Sequence, residues 1–185
     1  MNAGCKKGQL SACFVLPVED SLEDIFNTLK YAALIHQSGG GTGFNFSKLR
    51  PKDDLVSSSS GTSSGPVAFI KVYDAATEYV KQGGKRRGAN MGILNISHPD
   101  IEEFITSKSS KEAIENFNIS VGITNDFMEA VEQDLNWNLI NPRIKKITKV
   151  LKAKDLWHLI VHEAWRTGDP GLIFIDTINT QNPTP

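Results

Sequence analysis

The sequence predicts an α/β protein built from parallel β/α units, and three observations carry that prediction. Short apolar runs at residues 10–17, 89–96, 116–123 and 172–175 read as buried strands. Between them lie longer segments whose apolar residues recur at helical spacing, so strands and helices alternate. The 185-residue length suits one sizeable core, hence a single domain.

Residues 10–17 form the first strand, closed by Pro17. Ser21, with Asp24 three residues on, reads as a helix start, and Ile25, Leu29, Ala32, Ala33 and His36 then share one face. That helix stops at residues 38–43. Gly39, Gly40, Gly41 and Gly43 are more glycines than a C-cap needs, which suits close approach of a ligand or another chain segment. No Gly-Lys-Ser/Thr follows, so the run is not a phosphate-binding P-loop. Residues 44–50 lead into a serine- and glycine-rich stretch, of which residues 57–65 read as a flexible loop. Pro66 opens a second helix, with Phe69, Val72, Tyr73, Ala76, Tyr79 and Val80 at helical spacing up to Gln82.

Residues 82–90, Gln-Gly-Gly-Lys-Arg-Arg-Gly-Ala-Asn, stand between that helix and the next strand. Gly83 and Gly84 end the helix, Lys85, Arg86 and Arg87 present donors suited to phosphate or base edges, and Gly88 releases the chain. Read alone, the stretch is either a nucleotide-holding loop or a C-cap followed by solvated cations that favour the helix dipole.

After the strand at 89–96, residues 98–104 are a proline-led helix start with acidic residues in its first turn. Residues 116–123 are strand-like, 125–131 a short helix and 137–140 another strand. Residues 141–149 read as a solvated basic connector, and 155–166 as an amphipathic helix with Leu156, Ile160 and Ala164 along one side. A strong turn at 168–171 precedes the last strand, 172–175.

A formal charge of −1 removes any global electrostatic case for nucleic acid or a membrane surface. No apolar run approaches a bilayer span and no signal segment opens the chain, so a cytoplasmic, soluble protein is expected. The two cysteines, Cys5 and Cys13, show no Cys-x-x-Cys or metal spacing, so no zinc site is expected. Without further context both are packing thiols.

Five stretches in fixed order, residues 10–17, 37–46, 64–66, 82–90 and 168–176, closely resemble the catalytic chain of ribonucleotide reductases, especially the adenosylcobalamin-dependent class. The resemblance implies the first half of a ten-stranded β/α barrel, made of two five-stranded halves around a finger loop. It implies a ribonucleoside-diphosphate reductase that turns ribonucleotides into deoxyribonucleotides, with adenosylcobalamin starting the radical and a thioredoxin-like reductant closing the cycle. Matched position by position, Cys13 is one of two reducing cysteines. Ala12, Gly39, Gly40 and Gly41 lie against the substrate, with backbone amides serving its phosphates. Asp20 and Arg50 hold a deoxynucleotide or ATP effector, the acid toward sugar and the arginine toward phosphates, and residues 57–65 close over it. Gln82, Gly83, Gly84, Lys85, Arg86, Arg87 and Gly88 are the specificity loop between effector and substrate base. Cys5 has no counterpart.

The radical-cysteine motif Asn-Pro-Cys-Gly-Glu does not occur in the 185 residues. The resemblance therefore implies a fragment, inactive alone, of an enzyme that is a homodimer. Two other readings stand beside it: a nucleotide-binding regulatory module without chemistry, and the class of the same family that depends on a metal-radical subunit.

Overall fold

The structure, a computed structural model, describes residues 10–56, 61–82, 86–109 and 114–184, with backbone alone at 81–82 and 86–87. In chain order the elements begin β1 (Cys13–Leu16), α1 (Leu22–Ser38), β2 (Gly41–Asn45), β3 (Leu55–Val56), β4 (Gly61–Thr62) and α2 (Gly65–Tyr79). They continue with β5 (Lys81–Gln82), β6 (Arg86–Arg87), β7 (Asn90–Asn95), α3 (Ile101–Thr106), β8 (Phe117–Ile123) and α4 (Asn125–Glu132). The last are β9 (Asn136–Ile140), β10 (Ile147–Lys152), α5 (Ala153–Thr167), β11 (Gly171–Phe174) and α6 (Ile175–Thr180).

Strands β1, β2, β7, β8 and β11 form one sheet in that order, and every pairing is parallel. Each neighbour is the next sheet strand along the chain, so every connection is a crossover. Right-handed crossovers in unbroken order send their helices to one side. A doubly wound sheet would reverse its strand order, and this one does not; it is an arc of a β/α barrel. Five parallel strands match the expected first half.

One face of the arc is therefore core and the other open. Phe44, Leu94, Phe117, Ile119 and Val121 are buried beneath the helices, whereas Cys13 and Val15 on the same sheet are exposed. The densest part of the core is aromatic: Tyr73 of α2 meets Phe44 edge-on at 5.2 Å and Phe46 at 5.7 Å. Its hydroxyl donates to the Ile25 carbonyl, tying α2 to α1, and burial pushes the phenol well above its ordinary range.

Local chemistry sets the helix ends. Ser21 Oγ accepts from the Asp24 amide at 3.1 Å, and Gly39 (φ 104°) closes α1 in the left-handed conformation. Gly65 opens α2 at φ 77°, and a Cβ there would lie 2.7 Å from Asp100 Oδ2. That start needs glycine on both counts.

Several sequence expectations change. The run at 10–17 is not a buried strand: only Cys13–Leu16 pairs, at the sheet edge, with Val15 85% exposed. The glycine run at 38–43 ends α1 but also begins β2. The second helix ends at Tyr79 with an extended Val80, so it has no glycine C-cap. Gly61–Thr62 pairs with Leu55–Val56 as a hairpin, and residues 57–60 lie outside the described residues. The connector at 141–149 gives way to β10, antiparallel to β9. Among the described residues no helix is long and apolar enough to cross a membrane.

Candidate functional site

The residues singled out in the sequence fall at the two ends of the strands. At the N-terminal end, Cys13 pairs with Gly41 across β1 and β2, and its thiol is exposed on the open face. A Cβ built on Gly41 would lie 4.0 Å from Cys13 Sγ and 3.4 Å from the Ala89 carbonyl. With no side chain there, the backbone beside the thiol stays open to a ligand.

The amides of the glycine run, expected to face phosphates, are already committed. Gly39 N donates to the His36 carbonyl at 3.0 Å, Gly40 N to Ile35 at 2.9 Å and Gly41 N to Ala12 at 2.7 Å. Helix capping and the first rung of the parallel ladder use all three, so these positions can offer shape but not those donors. Ala12, itself exposed, contributes the carbonyl that receives Gly41.

The basic stretch arrives at this same end. Lys81–Gln82 pairs antiparallel with Arg86–Arg87, bringing the chain back beside the start of β7; Gly83, Gly84 and Lys85 lie outside the described residues. Gly88 is buried, and a Cβ on it would stand 2.6 Å from His36 Nδ1 and 2.9 Å from Thr77 Cγ2. Its φ is not left-handed, so this glycine serves close packing rather than a hinge. Cys5 also lies outside the described residues.

Asp20 and Arg50 meet at the opposite end, beyond the C-termini of β1 and β2. Arg50 Nε donates to Asp20 Oδ2 at 2.9 Å and to Oδ1 at 3.1 Å, and the Arg50 amide donates to Oδ1 at 3.0 Å. Arg50 also donates from a terminal nitrogen to the Leu55 carbonyl of β3 at 3.3 Å. The pair lines a cavity of about 380 Å³ between the N-termini of α1 and α2. Ser63 and Ser64, from the stretch 57–65 expected to close over the effector, line it too, whereas Ser21, Leu49, Val56 and Phe69 are walls that sequence reasoning missed. Of the missed four, only Ser21, the cap of α1, carried a local signal.

The hairpin that roofs this cavity is anchored from outside. Arg143 grips Asp54 through Nε at 3.0 Å and a terminal nitrogen at 2.7 Å, while Asn141 donates to the same carboxylate at 3.1 Å. Arg143's hydrogen bonds hold Asp54 down at about 2 against the opposing push of burial.

The cavity and the basic stretch are far apart within one chain. α1 has 17 residues, so its ends are roughly 25 Å apart, with Ser21 at the cavity and His36 beneath Gly88.

An arc of parallel strands in chain order, covered by helices on one face and open on the other, belongs to a β/α barrel. The family model described as ribonucleotide reductase, barrel domain, matches residues 11–185. This chain belongs to that family. It is 64% identical over 184 residues to a vitamin B12-dependent ribonucleoside-diphosphate reductase of Thermoplasma acidophilum, covering 99% of this chain and 24% of that protein. A protein of the same description from Mycobacterium tuberculosis (strain CDC 1551 / Oshkosh) is 50% identical over 186 residues, covering 100% and 27%. A ribonucleoside-diphosphate reductase large subunit of Caenorhabditis elegans is 32% identical over 209 residues, covering 98% and 26%. The chain spans about a quarter of the length of these curated relatives.

Proposed function

We propose that this chain is the first barrel half of a ribonucleoside-diphosphate reductase, holding one reducing thiol and the allosteric specificity site. The enzyme as a whole converts ribonucleotides to deoxyribonucleotides for DNA synthesis by radical chemistry. The observation that carries this reading is the exposed Cys13 thiol, on the open face beside Gly41 and next to the return of the basic stretch.

Reduction of a ribose takes two electrons and two protons. Cys13 and a second thiol each lose one hydrogen and join as a disulfide, while the ribose exchanges its 2′-hydroxyl for hydrogen and releases water. A thioredoxin-like dithiol then exchanges with the disulfide and is itself oxidised. Gly41 and the exposed Ala12, beside Cys13, give the substrate a floor free of bulky side chains, while the capping turn at Gly39 and the buried Gly40 sets that floor in place. Adenosylcobalamin supplies the radical in the whole enzyme.

The Asp20–Arg50 cavity takes the effector, a deoxynucleotide or ATP. Asp20 fixes the guanidinium, whose remaining N–H groups suit phosphate oxygens. The α1 and α2 N-termini favour an anion there, and Leu49, Val56 and Phe69 supply an apolar wall for sugar or base.

The loop that reads this effector sits roughly 25 Å away at the far end of α1. The reading therefore requires a homodimer in which α1 and α2 of two copies run antiparallel, bringing one copy's loop to the other's cavity. The outer surface of these helices suits burial between copies: Leu22 is 65%, Phe26 51% and Leu34 52% exposed, and Tyr79 of α2 is exposed as well.

Two substitutions in the full-length enzyme test the proposal. Cys13→Ser abolishes repeated turnover with a dithiol reductant; undiminished steady turnover would remove the redox role. Arg50→Ala weakens effector binding by about 10-fold or more and scrambles substrate preference in an effector titration; wild-type affinity would remove the effector site.

A further inference from the structure

Beneath the basic stretch runs a chain of four buried polar side chains from four different elements. Thr77 Oγ1 of α2 donates to the Tyr73 carbonyl at 2.8 Å and accepts from Asn90 Nδ2 of β7 at 3.0 Å. The Asn90 amide is thereby oriented, and its Oδ1 accepts from Thr42 Oγ1 of β2 at 2.7 Å. A hydroxyl has one proton, and Thr42 has given its own to Asn90. The contact of 2.9 Å between Thr42 Oγ1 and His36 Nε2 of α1 must then have the imidazole donating. The chain has one direction, His36 to Thr42 to Asn90 to Thr77, and no member is more than 5% exposed. Burial lowers the His36 pKa, favouring the neutral ring that this one donated bond requires.

Both ends of the chain touch the root of the basic stretch, since Gly88 packs against His36 Nδ1 at one end and Thr77 Cγ2 at the other. Its middle is part of the strands that carry the open face. Thr42 and Asn90 are register partners, and Thr42 directly follows Gly41, the partner of Cys13. In so dry a site, breaking one link strands its neighbour without a partner, so the chain is held or lost as a unit.

We infer that His36, Thr42, Asn90 and Thr77 are positioning residues that lock the root of the specificity loop to the strand pair beside Cys13, so that a change in the loop reaches the bound substrate. This rests on the reading of residues 82–90 as that loop. The four touch neither effector nor substrate; they act through Gly88 and Gly41. Their signature is coupling between the two sites, not affinity at either.

The test uses the full-length, cobalamin-loaded enzyme with two nucleotides as competing substrates, with and without a deoxynucleotide effector. In Thr42→Val the effector-induced change in the ratio of kcat/KM values falls by about 5-fold or more, toward none, as expected when a coupling of 5- to 150-fold is lost. Effector Kd without substrate stays within about twofold of wild type, and Thr42→Ser, which keeps the hydroxyl, restores the switching. Thr77→Val, breaking the far end while keeping the methyl against Gly88, gives the same loss. Amide exchange at residues 86–90 quickens in both valine variants, a readout that needs no turnover. Wild-type switching and exchange in both would overturn the inference. Should Arg50→Ala abolish switching while the valine variants keep it, the effector site survives and only this inference fails; Arg50→Ala with intact affinity fails the underlying reading instead.

Discussion

Gly88 shows how a single position can mislead. Within a glycine-rich basic stretch it reads as a hinge, yet its space is filled on two sides by His36 and Thr77. Gly88→Ala drives a methyl to within 2.6 Å of a buried ring held by its own hydrogen bond. Overpacking of that kind costs about 1–3 kcal/mol, to be read as a lower urea midpoint; an unchanged midpoint would mean the ring yields freely. Asp20 and Arg50 behave differently. The flanking motifs singled both out as candidates, but their direct contact across 30 residues was not legible, since no local spacing encodes it. The buried His36–Thr42–Asn90–Thr77 chain was not legible, because its members sit on four different elements and no local spacing encodes contacts between them.

At the scale of elements, the long helices and the strands β7 and β8 were legible from apolar periodicity. β2 was not: Gly41 and Gly43 weaken strand propensity, and the strand is specified by its two parallel neighbours. β10 escaped because most of it is exposed, so no buried stripe marks it. The β3–β4 hairpin depends on a tertiary clamp, Arg143 on Asp54, which no local pattern contains. That clamp titrates. The folded carboxylate lies at about 2, below the ordinary 3.8, so its stabilisation is fully present above 3.8 and is lost as pH falls through about 2. In Arg143→Leu the Asp54 titration, followed by carboxyl carbon NMR, moves up toward the ordinary range and acid unfolding loses part of this contribution. An unmoved titration would assign the depression to Asn141 and the Leu55 amide instead.

For the whole molecule, the sequence pattern reached the fold class, and family motifs reached the barrel arc, but neither could reveal the distance between the two sites. Chain-ordered parallel strands put Cys13 and the loop at one end and the Asp20–Arg50 cavity at the other, with the length of α1 between them. A relay between an effector and a substrate across that distance within one chain would need a rearrangement of the helices. Between two antiparallel copies it needs none. Mixed dimers decide the matter directly. Full-length Arg50→Ala enzyme and enzyme with Lys85, Arg86 and Arg87 all changed to alanine each lose effector-dependent substrate switching on their own. After the two are dissociated and reassociated at equal amounts, half the dimers are hybrids, each with one intact cavity facing one intact loop, so about a quarter of the sites recover switching. No recovery, with hybrid formation verified, would contradict the account.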